Sequence, residues 1–264
     1  MAKYKKITLL VLFIFSVHLN GQAQVNQKPQ IKVTLSPVVF NKSYTYDIHL
    51  NTSYGFSGLF NTLYYKPLGR GFGINAGVGF GVFPNVNYSV SYLLTQTPPE
   101  LIESYFSSSS FKDETPVDWL LIMPVTLQKT FKSNCSNINF AIEFGFQYNR
   151  LMTSAKSNWS FEDGYVVDGV SHEEVSFNYE IEASNPPHQF GFLLKLGIVN
   201  TLKNNNTFNI NLVGHLADYR SITYGTYEFS NLGRGSSGWV DQQVEYLGIE
   251  LSYGISSFKK KNKM

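Results

Sequence analysis

Between Ile138 and Asn149, apolar and polar side chains alternate without interruption. Ile138, Phe140, Ile142, Phe144, Phe146 and Tyr148 form one face; Asn139, Ala141, Glu143, Gly145, Gln147 and Asn149 form the other. Period-2 alternation over about ten residues marks a strand with one apolar and one polar face. The stretch WLLIMPVTLQKTF, from Trp119 to Phe131, precedes it across a polar patch from Lys132 to Asn137. Its apolar residues Trp119, Leu121, Met123, Val125 and Leu127 share one face.

The same pattern recurs, giving eight strand signals. The first runs from Ile31 to Phe40 and contains Pro37, a residue confined in sheets to edges, strand starts and bulges. The second spans about Thr52 to Lys66, where Phe56, Phe60 and Tyr64 compete with Leu59, Leu63 and Tyr65 for the apolar face. The third is Phe72 to Phe83, with Ile74, Val78 and Phe80 opposite a row of glycines. The fourth is Val117 to Phe131 and the fifth Ile138 to Arg150. His188 to Leu202, Thr207 to Tyr219 and Gln242 to Phe258 complete the set.

Connections alternate in length. Pro67 to Gly71, Lys132 to Asn137 and Lys203 to Asn206 are short and rich in Gly, Asn and Lys. Asn41 to Asn51, Pro84 to Pro116, Leu151 to Pro187 and Arg220 to Asp241 are long. Short turns at one end and long loops at the other are the arrangement of bacterial outer-membrane barrels, whose even strand number returns both termini to the periplasm. The expected fold is all-β, an eight-stranded antiparallel transmembrane β-barrel with short periplasmic turns and long extracellular loops.

Composition agrees. Aromatics are 16% of the chain and charged residues only 15%, against about 25% in soluble domains. A soluble sandwich or lipocalin-like barrel would carry many more charges on its polar face. The net charge of +2 and the lack of a basic stripe interleaved with aromatics argue against nucleic acid. Lys3, Lys5 and Lys6, the apolar run from Ile7 to Val17 and the small residues of Gly21-Gln22-Ala23 read as a signal peptide over 1–23, with Gln24 as the mature start. That apolar run is shorter than the roughly 20 residues of a spanning helix. The barrel domain is expected over 24–258 and a basic C-terminal tail over 259–264. Cys135 stands alone, so it makes no internal disulfide or thiolate cluster.

The stretch LLIMPVTLQKTF, with its proline in the first half, and the hairpin YYKPLGRGFGINAGVGFGVF resemble the PorT-like outer-membrane β-barrel family. The likeness extends over about Thr52 to Phe258. It implies fold and compartment. That family has no common catalytic residues, and its members range from secretion-system components to barrels without an assigned role.

Several motifs compete with this reading. Gly71-Phe-Gly-Ile-Asn-Ala76 matches a dinucleotide fingerprint, but the fingerprint needs a strand before it and a helix after it, and the alternation here runs straight through. The inward glycines are expected to leave room for large neighbours inside a narrow barrel. On that basis Gly79→Ala and Gln147→Ala are expected to be milder than an arginine at outward Leu194 or Phe144. Glu143, Lys195 and Glu250 fall on inward faces and form the candidate lumen polar cluster, because a charge inside a barrel must be paired or hydrated. Their bland reading is a structural plug; the alternative is a narrow polar conduit. His215, Asp218 and Tyr219 suggest a hydrolase only weakly, with no G-x-S-x-G serine. The acidic segments read as solvated faces or as surfaces for cation or partner binding outside the cell; His172-Glu173-Glu174 lacks metal-ligand spacing. No catalytic, cofactor or metal site is assigned. The expected function is a non-enzymatic outer-membrane barrel with a structural or interaction role, such as that of an accessory to a secretion or uptake system. Its expected partners are outer-membrane lipid and other envelope proteins. A narrow pore or small-solute transporter is the alternative, followed by a membrane-embedded enzyme.

Overall fold

The computed structural model describes residues 28–41, 44–45, 50–52, 54–83, 87–94, 100–107, 119–133, 138–152, 156–167, 170–184, 187–202, 204–231 and 234–256. The signal segment, Gln24, Cys135 and the 259–264 tail lie outside the described residues. The first strands are β1 (Gln30–Phe40), β2 (Tyr44–Thr45), β3 (Leu50–Thr52), β4 (Gly55–Gly69) and β5 (Phe72–Val82). There follow β6 (Asn87–Leu94), β7 (Glu100–Ser107), β8 (Trp119–Phe131), β9 (Ile138–Leu151), β10 (Lys156–Val167) and β11 (Val170–Ala183). The chain closes with β12 (His188–Thr201), β13 (Thr207–Ala217), β14 (Thr223–Asn231), β15 (Arg234–Gln242) and β16 (Tyr246–Ser256).

Eight of these strands close a barrel in the order β1-β16-β13-β12-β9-β8-β5-β4, with β4 pairing back to β1. Every ladder is antiparallel, and because the sheet closes on itself no strand edge is left to be satisfied in lipid. Pro37 and Pro124 sit mid-strand in this wall, while Pro67 lies near the end of β4 beside a register shift. Beside Pro37 the β1–β16 pairing is interrupted between Leu35↔Leu251 and Val38↔Gly248, while the β1–β4 ladder continues through Pro37↔Gly58. Beside Pro124 the β5–β8 pairing lapses between Ala76↔Val125 and Gly79↔Ile122, while β8–β9 keeps Pro124↔Gln147. Each mid-strand proline, lacking an N–H, costs pairing on one side only.

The β4–β5 turn is tight because Gly69, Arg70 and Gly71 all have positive φ, at 94°, 52° and 78°. Glycine takes this conformation without steric cost. Asn205, at 63°, plays the same part between β12 and β13.

The barrel has its apolar face outside. Ile31, Leu35, Phe60, Val125, Phe146, Leu194, Leu212 and Ile249 are among many exposed large hydrophobics on its wall. Inside, Thr34, Asn75, Gln128, Gln147, Asn209 and Ser252 are buried. In β4 the even-numbered set, Phe56, Phe60 and Tyr64, faces out, and Leu59, Leu63 and Tyr65 are buried. β4 begins at Gly55, later than the sequence suggested, and Leu50–Thr52 belongs to a separate short strand. Likewise Gln242 ends β15, and the last barrel strand begins at Tyr246.

The long segments are themselves β-rich. β10-β11-β14-β15-β2 form a five-stranded sheet, and β3-β6-β7 a three-stranded one. Phe177, Tyr227, Phe229 and Val240 are buried along the first of these.

Candidate functional site: the lumen

Seen from the inside, the barrel has two zones. The half nearer the short turns is polar. The half nearer the long segments holds an apolar cluster of Val38, Phe40, Leu59, Leu120, Ile122, Leu193, Val213 and Tyr246, joined by Phe83, Leu151, Ile222 and Val244. Phe40 meets Phe83 edge-on at 5.9 Å and Tyr246 at 5.5 Å. An eight-stranded barrel leaves about enough interior for side chains to fill, and here apolar groups fill its extracellular half.

Glu143, Lys195 and Glu250 come together in the polar zone. Lys195 Nζ lies 2.7 Å from Glu250 Oε2 and 3.4 Å from Glu143 Oε1. Glu143 is the register partner of Lys195 on the adjacent strand. Glu250 lies two strands away, opposite Asn211 of β13, and accepts from Asn211 Nδ2 at 2.9 Å. Thr126 Oγ1 donates to Glu143 Oε1 at 2.5 Å. Each carboxylate therefore has a cation and a neutral donor, the arrangement that makes a buried charge tolerable.

Sequence reasoning missed a fourth member, Lys32. It lies between Gln30 and Thr34 on the inward face of β1, where parity alone places it. Its ammonium donates to Asn75 Oδ1 at 2.9 Å and Gln128 Oε1 at 2.8 Å, and sits 4.4 Å from the Tyr65 ring centroid. The four buried charges, Lys32, Lys195, Glu143 and Glu250, sum to zero.

Higher up, Tyr246 donates across the lumen to Gln147 Oε1 at 2.9 Å, and Gln147 Nε2 donates to Asn149 Oδ1 at 2.7 Å. A small cavity of about 10 Å³ remains among Ser36, Asn61, Gln147, Lys195 and Glu250. That is roughly the room taken by one water centre.

Two segments fold over the extracellular mouth. Gln189, fully buried, accepts from the Val244 backbone N–H at 2.7 Å through Oε1, and its Nε2 donates to the Arg220 carbonyl. Ile222 N–H donates to the Gln242 carbonyl at 2.8 Å, and Ser184 N–H donates to the Ile222 carbonyl at 2.9 Å. One side-chain amide thus fastens both capping segments to β12.

The glycines of the inner wall are close-approach points. The Tyr65 ring lies over Gly73, and the His215 ring over Gly191. At Gly79 an added Cβ would collide with Asn61 Oδ1 and with the Phe60 carbonyl oxygen, a backbone group. The expectation that Gly79→Ala is mild therefore fails sterically. Gln147→Ala is not mild either, since it removes two buried hydrogen bonds.

His215, Asp218 and Tyr219 do not converge. His215 is buried, stacked on Tyr246 at 5.3 Å and bonded to the Val244 carbonyl. Asp218 faces Arg220 at 3.8 Å, and Tyr219 is 86% exposed. The G-x-G-x-x-A stretch leads directly into the uninterrupted strand β5. Among the described residues no group of three or more His, Cys, Asp or Glu is arranged to hold a metal.

A closed ladder with a continuous apolar exterior and buried polar and ionic groups inside fits lipid and not water. The protein is an integral outer-membrane β-barrel. No family model matches the chain, and no curated protein matches it either. Among solved structures, the chain is similar to the outer membrane protein OprG from Pseudomonas aeruginosa, with a TM-score of 0.43 at 10% identity over 88% of this chain and 97% of that one. It is also similar to a major outer membrane protein from Thermus thermophilus, with a TM-score of 0.35 at 13% identity over 86% of this chain and 99% of the other.

Proposed function

We propose that the protein is a non-conducting, non-enzymatic barrel whose role is structural or interactive, carried by the β-rich segments it holds outside the cell. The observation that carries this reading is the filled interior: an apolar cluster at the outer half and a charge-neutral network at the inner half. The five-stranded extracellular sheet, with Tyr224 and Trp239 each 44% exposed, supplies a surface for a partner. The resemblance to PorT-like barrels supports an accessory role in a secretion or uptake system. On this proposal residues 1–23 are removed as a signal peptide, 24–258 form the barrel domain and 259–264 are a basic tail. A narrow pore is the second reading; in its favour is the small polar cavity beside Lys195 and Glu250.

Planar-bilayer recording of the purified protein tests the choice. The proposal expects no steady ion conductance. Steady conductance in the unmutated protein would put the pore first.

A further inference from the structure

Acidic residues are segregated along the barrel axis. Apart from Glu143 and Glu250 in the lumen, every Asp and Glu among the described residues lies in the connections at the extracellular end, between β5 and β8, β9 and β12, or β13 and β16. The connections at the opposite end hold no acid. There the described residues present Lys66 near the end of β4, Arg70 in the β4–β5 turn, Lys129 near the end of β8 and Lys132 just beyond it. Lys28 precedes β1 at the same end.

These cations adjoin the lipid-facing wall. Lys66 is exposed on the outward face of β4, next to Tyr64 and Leu68, and pairs in register with Ile74. Lys129 lies across β5 from it, opposite Phe72. Its ammonium donates to the Arg70 carbonyl at 2.7 Å and packs 4.0 Å from the Phe72 ring and 5.8 Å from the Phe131 ring. An ammonium has three donors, so Lys129 is fixed in place with two left for a ligand. Aromatic groups with basic residues just beyond an apolar belt mark the interface with lipid headgroups.

We infer that the rim formed by Lys66, Arg70, Lys129 and Lys132 binds the headgroup phosphate of a phospholipid in the periplasmic leaflet. The acyl chains would lie along Tyr64, Ile74 and the outer wall of β5 and β8, continuous with the belt already in lipid. Charge complementarity and that continuity favour a lipid over a soluble anion, which would use the cations and ignore the wall.

The test is native mass spectrometry of the full mature protein released from detergent micelles. The probes are phosphatidylglycerol and, as a phosphate-free counterpart, diacylglycerol with the same acyl chains. Phosphatidylglycerol should be retained and diacylglycerol lost, and equimolar inorganic phosphate should not displace the lipid. The variant Lys66→Gln/Arg70→Gln/Lys129→Gln/Lys132→Gln should lose at least about tenfold in retention, since each cation near an anionic surface contributes roughly fivefold. Arg150→Gln, at the other end of the wall, should change nothing. Should the fourfold variant fail to fold, judged by heat-modifiable gel mobility, Lys66→Gln/Arg70→Gln alone is read and should still show a clear loss. Equal retention by the variant, equal retention of diacylglycerol, displacement by inorganic phosphate, or capture of an acidic protein in place of lipid would each overturn the inference.

Discussion

Lys195 lies closer to Glu250, two strands away, than to Glu143, its direct register partner on the neighbouring strand: 2.7 Å against 3.4 Å. The contact follows one wall of the barrel, past β13, where Asn211 donates to the same carboxylate from the position opposite it. Lys195 thus ties β9, β12 and β16 together through a single ammonium. Lys32 does the corresponding work from β1 to β5 and β8 through amide oxygens.

The first prediction concerns this network. Removing one partner of a buried ion pair costs about 3–5 kcal/mol, because the charges left behind are uncompensated, whereas replacing the whole set can be near neutral. Lys195→Met should therefore lower the unfolding temperature in detergent sharply. Lys195→Met/Glu143→Gln, which restores a neutral interior of one lysine and one glutamate, should recover part of the loss. Additive losses in this cycle would show that Lys195 and Glu143 are energetically independent.

The second prediction concerns the two faces of the wall. Leu194 and Phe144 are register partners on the outside of β12 and β9. Arginine at either should impair membrane insertion, at about 2–4 kcal/mol near the midplane. Gly79→Ala should also destabilise, by about 1–3 kcal/mol, through overpacking against the Phe60 carbonyl and Asn61. The two differ in readout. The outward arginines should reduce the inserted fraction in vesicles more than the melting temperature in detergent, and Gly79→Ala the reverse. A common pattern for both would mean that the faces are misassigned.

The eight barrel strands were legible because lipid outside and polar packing inside give period-2 contrast, as in Phe144-Gly145-Phe146-Gln147. Where the contrast fades, reading failed. In Leu120-Leu121-Ile122 and Leu193-Leu194 both faces are apolar, which is the trace of the inner apolar cluster at that height. That signal was present but periodicity does not score it. Lys32 has the right parity, yet one chain gives no distance from β1 to β5 or β8, so its amide partners could not be named. The extracellular strands were hidden for a different reason. In β14 the buried face is Thr223, Gly225, Tyr227 and Phe229, a mixed set that water on one side and a thin sheet tolerate.

The third prediction is a pH effect outside the membrane. Burial raises the carboxyl pKa of Asp241 on β15 above its ordinary value, and a hydrogen bond with Ser221 offsets this in part. A raised folded pKa means that the folded state holds the proton more tightly than the unfolded chain. The contribution is fully present below the unfolded value and is lost as pH rises through the folded one. Asp241→Asn should accordingly gain stability relative to the parent at pH 7 and lose that advantage near pH 3. Parallel melting curves at both pH values, with a constant offset between the two proteins, would contradict the assignment.

The last prediction concerns what keeps the mouth shut. Gln189 holds both capping segments, through the Val244 N–H and the Arg220 carbonyl. Ile222 and Val244 of these segments are buried and complete the apolar cluster. Gln189→Ala leaves the buried Val244 N–H without its partner, a loss of about 1–3 kcal/mol, and frees the part-buried Arg220 carbonyl. The barrel ladders do not involve the Gln189 side chain, so the fold should survive and the cap should loosen. Amide exchange at Ile222 and Val244 should accelerate while exchange in β9 and β12 stays slow. Unchanged exchange at both sites would mean that the apolar contacts hold the cap without the amide. In planar bilayers the variant should stay closed or show only brief openings, because Val38, Leu59, Ile122 and Val213 still fill the lumen below the cap. A steady open level in Gln189→Ala would show instead that the capping segments, and not the inner cluster, are the barrier to ions.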